Sequence, residues 1–318
     1  MLDRTDTLTL QREAFRRDVL EGLALSQKTI PARWLYDDRG SELFEDITKL
    51  DEYYPTRTER AILERHAGDI AQKLGPKASL IEYGAGAGIK TEIVLDALDD
   101  PELYVPIDIA GDFLEASAER LRGRFPALDV HPVVGDFTDD IDLPDSLPDE
   151  GRRCGFFPGS TIGNLDPKDA VTFLKRMRGH VGRGGRAVLG ADLKKPIEDL
   201  RRAYDDSEGV TAAFNQNLLI RINRELGGDF PHDAFHHEAR WNDAESAVEM
   251  HLVADREVSV SVAGQSFDFH EGETIHTESS RKYDRASLGK LAGSAGWEIE
   301  SFWTDDKDRF SVTMLKAA

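Results

Sequence analysis

The sequence predicts an α/β protein: a doubly wound, mostly parallel sheet with an antiparallel hairpin at one edge, joined to a second α+β lobe. Three observations predict it. Strand-like and helical segments alternate through the middle of the chain, a glycine-rich turn follows the first of those strands, and a long insert breaks the alternation before it resumes. With 318 residues, 40% apolar and 31% charged, the chain is long enough for a core domain plus an elaboration and apolar enough to bury a real core.

The opening MLDRTDTLTLQREAF reads as a polar lead into a helix. From Glu59 to Lys73 apolar residues recur at helical spacing and stop at Gly75 and Pro76. SLIEYGAGAG follows as strand and glycine turn, and TEIVLDALDD as helix. The unit repeats as ELYVPIDI with FLEASAERLRGRF, then LDVHPVVGDF, then RRCGFFPGST with DAVTFLKRMRGHV, then GRAVLGADL. Between Pro196 and about Ser280 a helical AAFNQNLLIRINREL leads into the alternating runs AVEMHLVAD, REVSVSVAG and QSFDFHEGE. RASLGKLAGSAG, WEIESFWTD and RFSVTMLKA return to core material, the last two as an antiparallel hairpin turning between Asp305 and Asp308. The expected division is a core of residues 58–194 and 282–318, with 1–57 and 195–281 in the second lobe.

A net charge of −20, spread along the chain, repels phosphate backbones and anionic lipid heads, so neither a nucleic acid nor a membrane surface is an expected partner. The apolar runs are too short to span a bilayer and no charged-then-apolar leader opens the chain. A single cysteine, Cys154, excludes an intramolecular disulfide and suits the reducing cytosol; its setting in CGFFPGS makes it an expected buried strand residue. The protein is expected to be cytoplasmic and monomeric.

Gly84, Gly86 and Gly88 sit where a strand hands over to a helix, where glycine lets a backbone approach a ligand and amide N–H groups converge. A plain tight turn is the alternative. The dinucleotide fingerprint needs a small residue five positions after its first glycine, but Ile89 stands there, which weakens a dehydrogenase reading. The second strand ends at Asp108, whose two acceptor oxygens suit a ribose diol. The third ends in GDF, so Asp136 can accept from an adenine amino group and Phe137 can cover the base. Ligands in such sheets bind beyond the carboxyl ends of the strands, and this is the pattern of class I methyltransferases.

Further segments are more specific: WLYDDRGSELFEDITKLDEYYPTRTE, GSTIGNLDP, RAYDD and GETIHTESSRKY. Together they resemble the histidine-specific Nα-methyltransferase family of ergothioneine biosynthesis along almost the whole chain. The resemblance implies an S-adenosylmethionine-dependent enzyme that methylates the α-amino nitrogen of L-histidine, with the second lobe binding that substrate. It implies that Gly84, Gly86, Lys90, Asp108, Asp136 and Phe137 hold the cofactor. Tyr53, Asn164 and Tyr204 would grip the amino and carboxylate end of histidine, Glu278 and Ser280 would read its imidazole, and Tyr36 and Met250 would form pocket walls.

The chemistry of these side chains agrees. The Asn164 amide can serve a carboxylate or an amine, and tyrosine rings can stabilise a growing trimethylammonium. Glu278 can accept an imidazole N–H while Ser280 meets the other nitrogen, since residues two apart on a strand share a face. The expected reaction is in-line displacement on the sulfonium methyl group, with Tyr36, Tyr53 and Asn164 near the path of the departing amine proton. Another amino acid such as tryptophan, or a cofactor-sensing module without turnover, remains an alternative. His232, His236 and His237 cluster in FPHDAFHHEARW, but no H-E-x-x-H completes a site, so no metal is expected and these histidines are expected at the surface or an interface.

Overall fold

Near-continuous apolar runs become strands and the amphipathic segments between them become helices. A computed structural model describes residues 4–86, 88–148 and 152–318. In chain order its elements are α1 (Arg4–Leu23), β1 (Lys28–Thr29), α2 (Asp38–Ile47), α3 (Tyr54–Leu74), β2 (Ser79–Tyr83), α4 (Ile89–Ala97), β3 (Leu103–Asp108) and α5 (Gly111–Arg124). Then come β4 (Asp129–Val130), β5 (Val133–Val134), β6 (Arg153–Phe157), α6 (Pro167–Val181), β7 (Arg186–Asp192), α7 (Ile197–Tyr204) and α8 (Val210–Leu226). The chain closes with β8 (Phe235–Asn242), β9 (Ala247–Ala254), β10 (Val258–Val262), β11 (Gln265–Phe269), β12 (Thr274–Arg281), α9 (Arg285–Ser294), β13 (Trp297–Thr304) and β14 (Phe310–Ala317). The chain divides into one unit of Met1–Tyr54 with Lys195–Ser280 and another of Pro55–Lys194 with Arg281–Ala318.

The second of these units is built on an eight-stranded sheet of order β13-β14-β7-β6-β2-β3-β4, with β5 also paired to β3. All neighbours from β7 through β4 are parallel, while β14 runs antiparallel to β7 and β13 antiparallel to β14. This is the class I methyltransferase arrangement that the sequence predicts. The strand order reverses between β2 and β6, which opens a crevice at their carboxyl ends. Alternate residues feed two cores. Ile81, Val105, Phe157 and Leu189 pack with α6 and α9, whereas Leu80, Tyr104, Phe156 and Val188 pack with α3, α4 and α5. Burial on both faces is why these strands read as unbroken apolar runs.

One strand differs from its expectation. LDVHPVVGDF is not continuous: β4 pairs with Leu103 and Tyr104, β5 with Ile107 and Asp108, and His131-Pro132 interrupts them. Pro132 has no N–H to give the ladder, and an edge position tolerates that loss. Cys154 lies on β6 fully buried, and burial pushes its thiol up to about 12, so it is an inert core residue.

The first unit carries a four-stranded sheet of order β1-β12-β9-β8 and a separate hairpin, β10-β11. β8 and β9 are antiparallel, and β1 runs parallel to β12. Its core joins Phe15, Val19 and Leu23 of α1, Leu43 and Ile47 of α2, and Phe214, Leu218 and Ile222 of α8 to the inward residues of the sheet. Asp37 caps α2 through a 2.8 Å bond from Gly40 N–H and also accepts from Asn217 of α8 at 2.7 Å, so the WLYDDRGS block pins two helices together. Among the described residues no helix is long and apolar enough to cross a membrane.

Candidate active site

The glycine turn after β2 places Gly84, Gly86 and Gly88 at φ of +72°, +48° and +69°, a region that side chains disfavour. The amides of Gly84 and Ala85 both donate to Ile107 O, at 2.8 and 3.2 Å, which stitches the turn to the end of β3. Asp108 completes the closure: Oδ2 accepts from Gly86 N–H at 3.2 Å and Oδ1 from Ala110 N–H at 3.0 Å. A carboxylate has about four lone-pair sites, so Asp108 keeps acceptor capacity for a diol. Asp136 spends Oδ1 on its own turn, accepting from the Thr138 amide at 2.9 Å and hydroxyl at 2.6 Å.

The Phe137 ring stands edge-on to Phe157 and Phe173, with centroids 5.3 and 5.4 Å away, and it lies 3.5 Å from where a Cβ on Gly84 would be. A side chain on Gly86 would meet nothing within 4 Å, so the Gly86 backbone faces open space. Ile89, Phe113 and Val134, at the same carboxyl edge of the sheet, are 51%, 41% and 50% exposed. Exposed apolar side chains beside bare backbone and a carboxylate fit a ligand with a flat base and a ribose, and the residues present therefore suit S-adenosylmethionine.

Lys90, in the first turn of α4, donates to Glu59 Oε2 at 2.5 Å. Glu59 is buried on α3 and its two oxygens also accept from Gly159 N–H at 3.0 and 2.8 Å, so the pair ties α3 and α4 to the turn after β6. Asn164 ends the 3₁₀ turn Thr161–Asn164 and is half-buried. Its neighbours are clamped. A Cβ on Gly163 would fall 2.6 Å from Arg281 O, and the Arg281 guanidinium donates to Leu165 O at 2.9 Å and Asp166 Oδ1 at 3.1 Å.

In the other unit the expected substrate residues form an aromatic run. Tyr36 stacks edge-on to Phe44 and Phe214 at 5.5 and 5.3 Å; Phe44 meets Tyr53 at 6.1 Å, and Tyr53 meets Tyr204 at 6.2 Å. The Tyr204 hydroxyl and Ser280 Oγ are 2.7 Å apart. Tyr53, Tyr204, Glu278 and Ser280 are all buried, and Met250 lies inside the core on β9 with its carbonyl accepting from Thr277 Oγ1 at 3.1 Å.

One expectation is corrected here. His232 and His236 are exposed, as a surface reading requires, but His237 is buried: its Nε2 donates to Tyr204 O at 2.8 Å and its Nδ1 meets Asn215 Nδ2 at 2.9 Å. Among the described residues no three His, Cys, Asp or Glu gather as a metal site. On β12, Thr277 bonds Asn215 of α8 at 2.7 Å and Ser280 bonds Tyr204 of α7. His276 Nε2 meets Ser279 Oγ at 3.0 Å.

Glu59, Asn215, His237 and Thr277 carry much of this geometry; Glu59 and Thr277 lie within the blocks that carry the family resemblance without being assigned a role there, and Asn215 lies in none of those blocks. For His237 the available signal was its place in FHHEARWN, where outward polar residues alternate with inward ones.

Comparison with known proteins agrees with the geometry. A family model described as histidine-specific methyltransferase, SAM-dependent, matches residues 15–317. The histidine N-alpha-methyltransferase of Mycobacterium tuberculosis (strain CDC 1551 / Oshkosh) is 41% identical over 306 residues, covering 95% of this chain and 94% of that protein. Its counterpart in Mycolicibacterium smegmatis is 40% identical over 307 residues, with 95% and 94% covered. Ergothioneine biosynthesis protein 1 of Neurospora crassa is 29% identical over 290 residues, 87% of this chain and 32% of that longer protein. With a match across nearly its whole length and a class I methyltransferase sheet, the chain belongs to the family of histidine-specific, S-adenosylmethionine-dependent methyltransferases.

Proposed function

We propose that this enzyme methylates the α-amino nitrogen of L-histidine three times, yielding the trimethylated betaine hercynine at the start of ergothioneine biosynthesis. The observation that carries the substrate reading is the buried pair of Tyr204 and Ser280 at one end of the run of tyrosine and phenylalanine rings, with Glu278 also buried two residues before Ser280 on β12. A neutral hydroxyl pair and a carboxylate suit the two nitrogens of an imidazole and the polar end of an amino acid, while the rings suit a nitrogen that becomes permanently cationic.

S-adenosylmethionine supplies a methyl group on a sulfonium, and Gly84, Gly86, Lys90, Asp108, Asp136 and Phe137 are the residues assigned to hold it. Tyr53, Asn164 and Tyr204 orient the amine and carboxylate, so that catalysis is mostly alignment of nitrogen, methyl and sulfur. The first two methylated products must each lose a proton before the next attack. Tyr36, Tyr53 and Asn164 are assigned to that path, directly or through water; the third transfer leaves no proton to lose.

Mass spectrometry of purified protein with S-adenosylmethionine and each common amino acid tests this. A product three methyl groups heavier from histidine alone supports the proposal. Methylation of tryptophan instead overturns the substrate, and cofactor binding with no methylated product favours a sensing module. Glu278→Ala separates the first two, because it weakens histidine far more than a tryptophan analogue only if Glu278 reads the imidazole.

A further inference from the structure

We infer that His237 is a positioning residue for substrate recognition: with Asn215 and Thr277 it forms a buried hydrogen-bonded chain that sets Tyr204 and the strand carrying Glu278. This rests on the substrate reading above and goes beyond it, because none of the three residues is assigned to touch histidine.

The chain runs through five elements of one unit. His237 on β8 donates from Nε2 to the carbonyl of Tyr204 at the end of α7, at 2.8 Å. Because a carbonyl can only accept, that nitrogen carries the proton, and Nδ1 is left as the acceptor for Asn215 Nδ2 at 2.9 Å. The second amide hydrogen of Asn215, on α8, reaches His251 O of β9 at 3.1 Å, which settles the orientation of the amide. Asn215 Oδ1 then accepts from Thr277 Oγ1 on β12 at 2.7 Å, and the same hydroxyl lies 3.1 Å from Met250 O. Every polar atom of the His237 ring and the Asn215 amide is matched.

Asn215 is fully buried, Thr277 and His237 nearly so. A polar chain in such a place costs more than an apolar core unless it is complete, and when complete it specifies one arrangement. Burial also pulls the His237 ring below its usual titration range, which keeps the neutral tautomer that this bonding needs. The consequence is directional. The Tyr204 carbonyl is held from β8 while its hydroxyl meets Ser280, so backbone and side chain of the same tyrosine are both fixed. Thr277 adjoins Glu278 in the chain and is anchored on β12 by Asn215. An ordinary buried histidine that merely filled space would have no reason to end on a tyrosine that bonds Ser280.

The test compares His237→Phe and His237→Gln with the parent enzyme, alone and in a Tyr204→Phe background. His237→Phe is expected to raise KM for histidine about tenfold, with cofactor affinity by calorimetry unchanged, and His237→Gln, which can still donate to the Tyr204 carbonyl, is expected to recover most of the loss. In the Tyr204→Phe background the same substitution should cost at most about threefold, because part of what it positions is already gone. Unchanged KM in His237→Phe, or fully additive losses with Tyr204→Phe, would overturn the inference. If His237→Phe fails to fold, His237→Gln and Asn215→Leu carry the same comparison. A parent enzyme that leaves histidine unmethylated sinks the substrate reading instead, before any variant is made.

Discussion

In the proposed function each of the two units holds a small polar ligand, and the two are equipped for it by opposite means. The Pro55–Lys194 and Arg281–Ala318 unit offers backbone: a glycine turn, the ends of parallel strands and two aspartates whose places follow from the topology of the sheet. The other unit offers side chains from five scattered segments, whose arrangement depends on aromatic packing and on a buried polar chain. A site made from backbone survives large sequence change, because any sequence that keeps the sheet keeps the amides in place. A site made from side chains is specific and changes with single substitutions, which is what choosing one amino acid among twenty requires.

That contrast can be broken by experiment. The largest effect expected is on stability in the sheet-built unit, where Lys282 and Asp192 form an ion pair with both side chains fully buried, at 3.0 Å. Lys282→Met should cost about 3–5 kcal/mol, measured by denaturant unfolding, and adding Asp192→Leu should recover most of it because the stranded charge is removed. Next, Asp108→Ala should weaken cofactor binding about 100-fold by calorimetry, as two charge-assisted bonds of about 1.5–3 kcal/mol each would predict once part is offset by water. A loss confined to histidine binding would contradict the assignment.

Glu278→Ala should raise KM for histidine about 30-fold with cofactor affinity intact, the size of one charged hydrogen bond to a buried group; equal losses in both ligands would erase the distinction between the units. A pH-dependent effect concerns Glu82, fully buried beneath the glycine turn and pushed up from 4.5 to about 8 by burial, against bonds from Thr91 Oγ1 at 2.6 Å and Tyr104 OH at 2.5 Å. Between those two values the unfolded chain releases the proton that the folded chain keeps. Stability contributed by this group is therefore present below pH 4.5, falls as pH rises through about 8 and is flat beyond it. Thermal unfolding of Glu82→Gln across that window should show a shallower decline than the parent, and an unchanged slope would refute the linkage.

Much of the sheet was legible because its strands are buried on both faces and bounded by glycine or proline. LDVHPVVGDF misleads only at Pro132, where one missing N–H splits an edge strand. β8 is harder: its inward His237 looks as polar as its outward neighbours, so FHHEARWN presents itself as a histidine cluster rather than a strand. Tyr204 and Ser280 stand in recognisable blocks of sequence, but their 2.7 Å contact joins positions 76 residues apart, and local periodicity carries no information at that range.

The sequence by itself determined the doubly wound core, the glycine turn and the aspartates at the strand ends, because periodicity, burial and backbone conformation are properties of neighbouring residues. Only the tertiary structure decided that Lys90 pairs with Glu59, that Arg281 brackets the turn bearing Asn164, and that His237 holds Tyr204 from within the core. Each of those joins residues distant in the chain, through directional bonds of buried polar groups whose partners are chosen by the packing of whole elements.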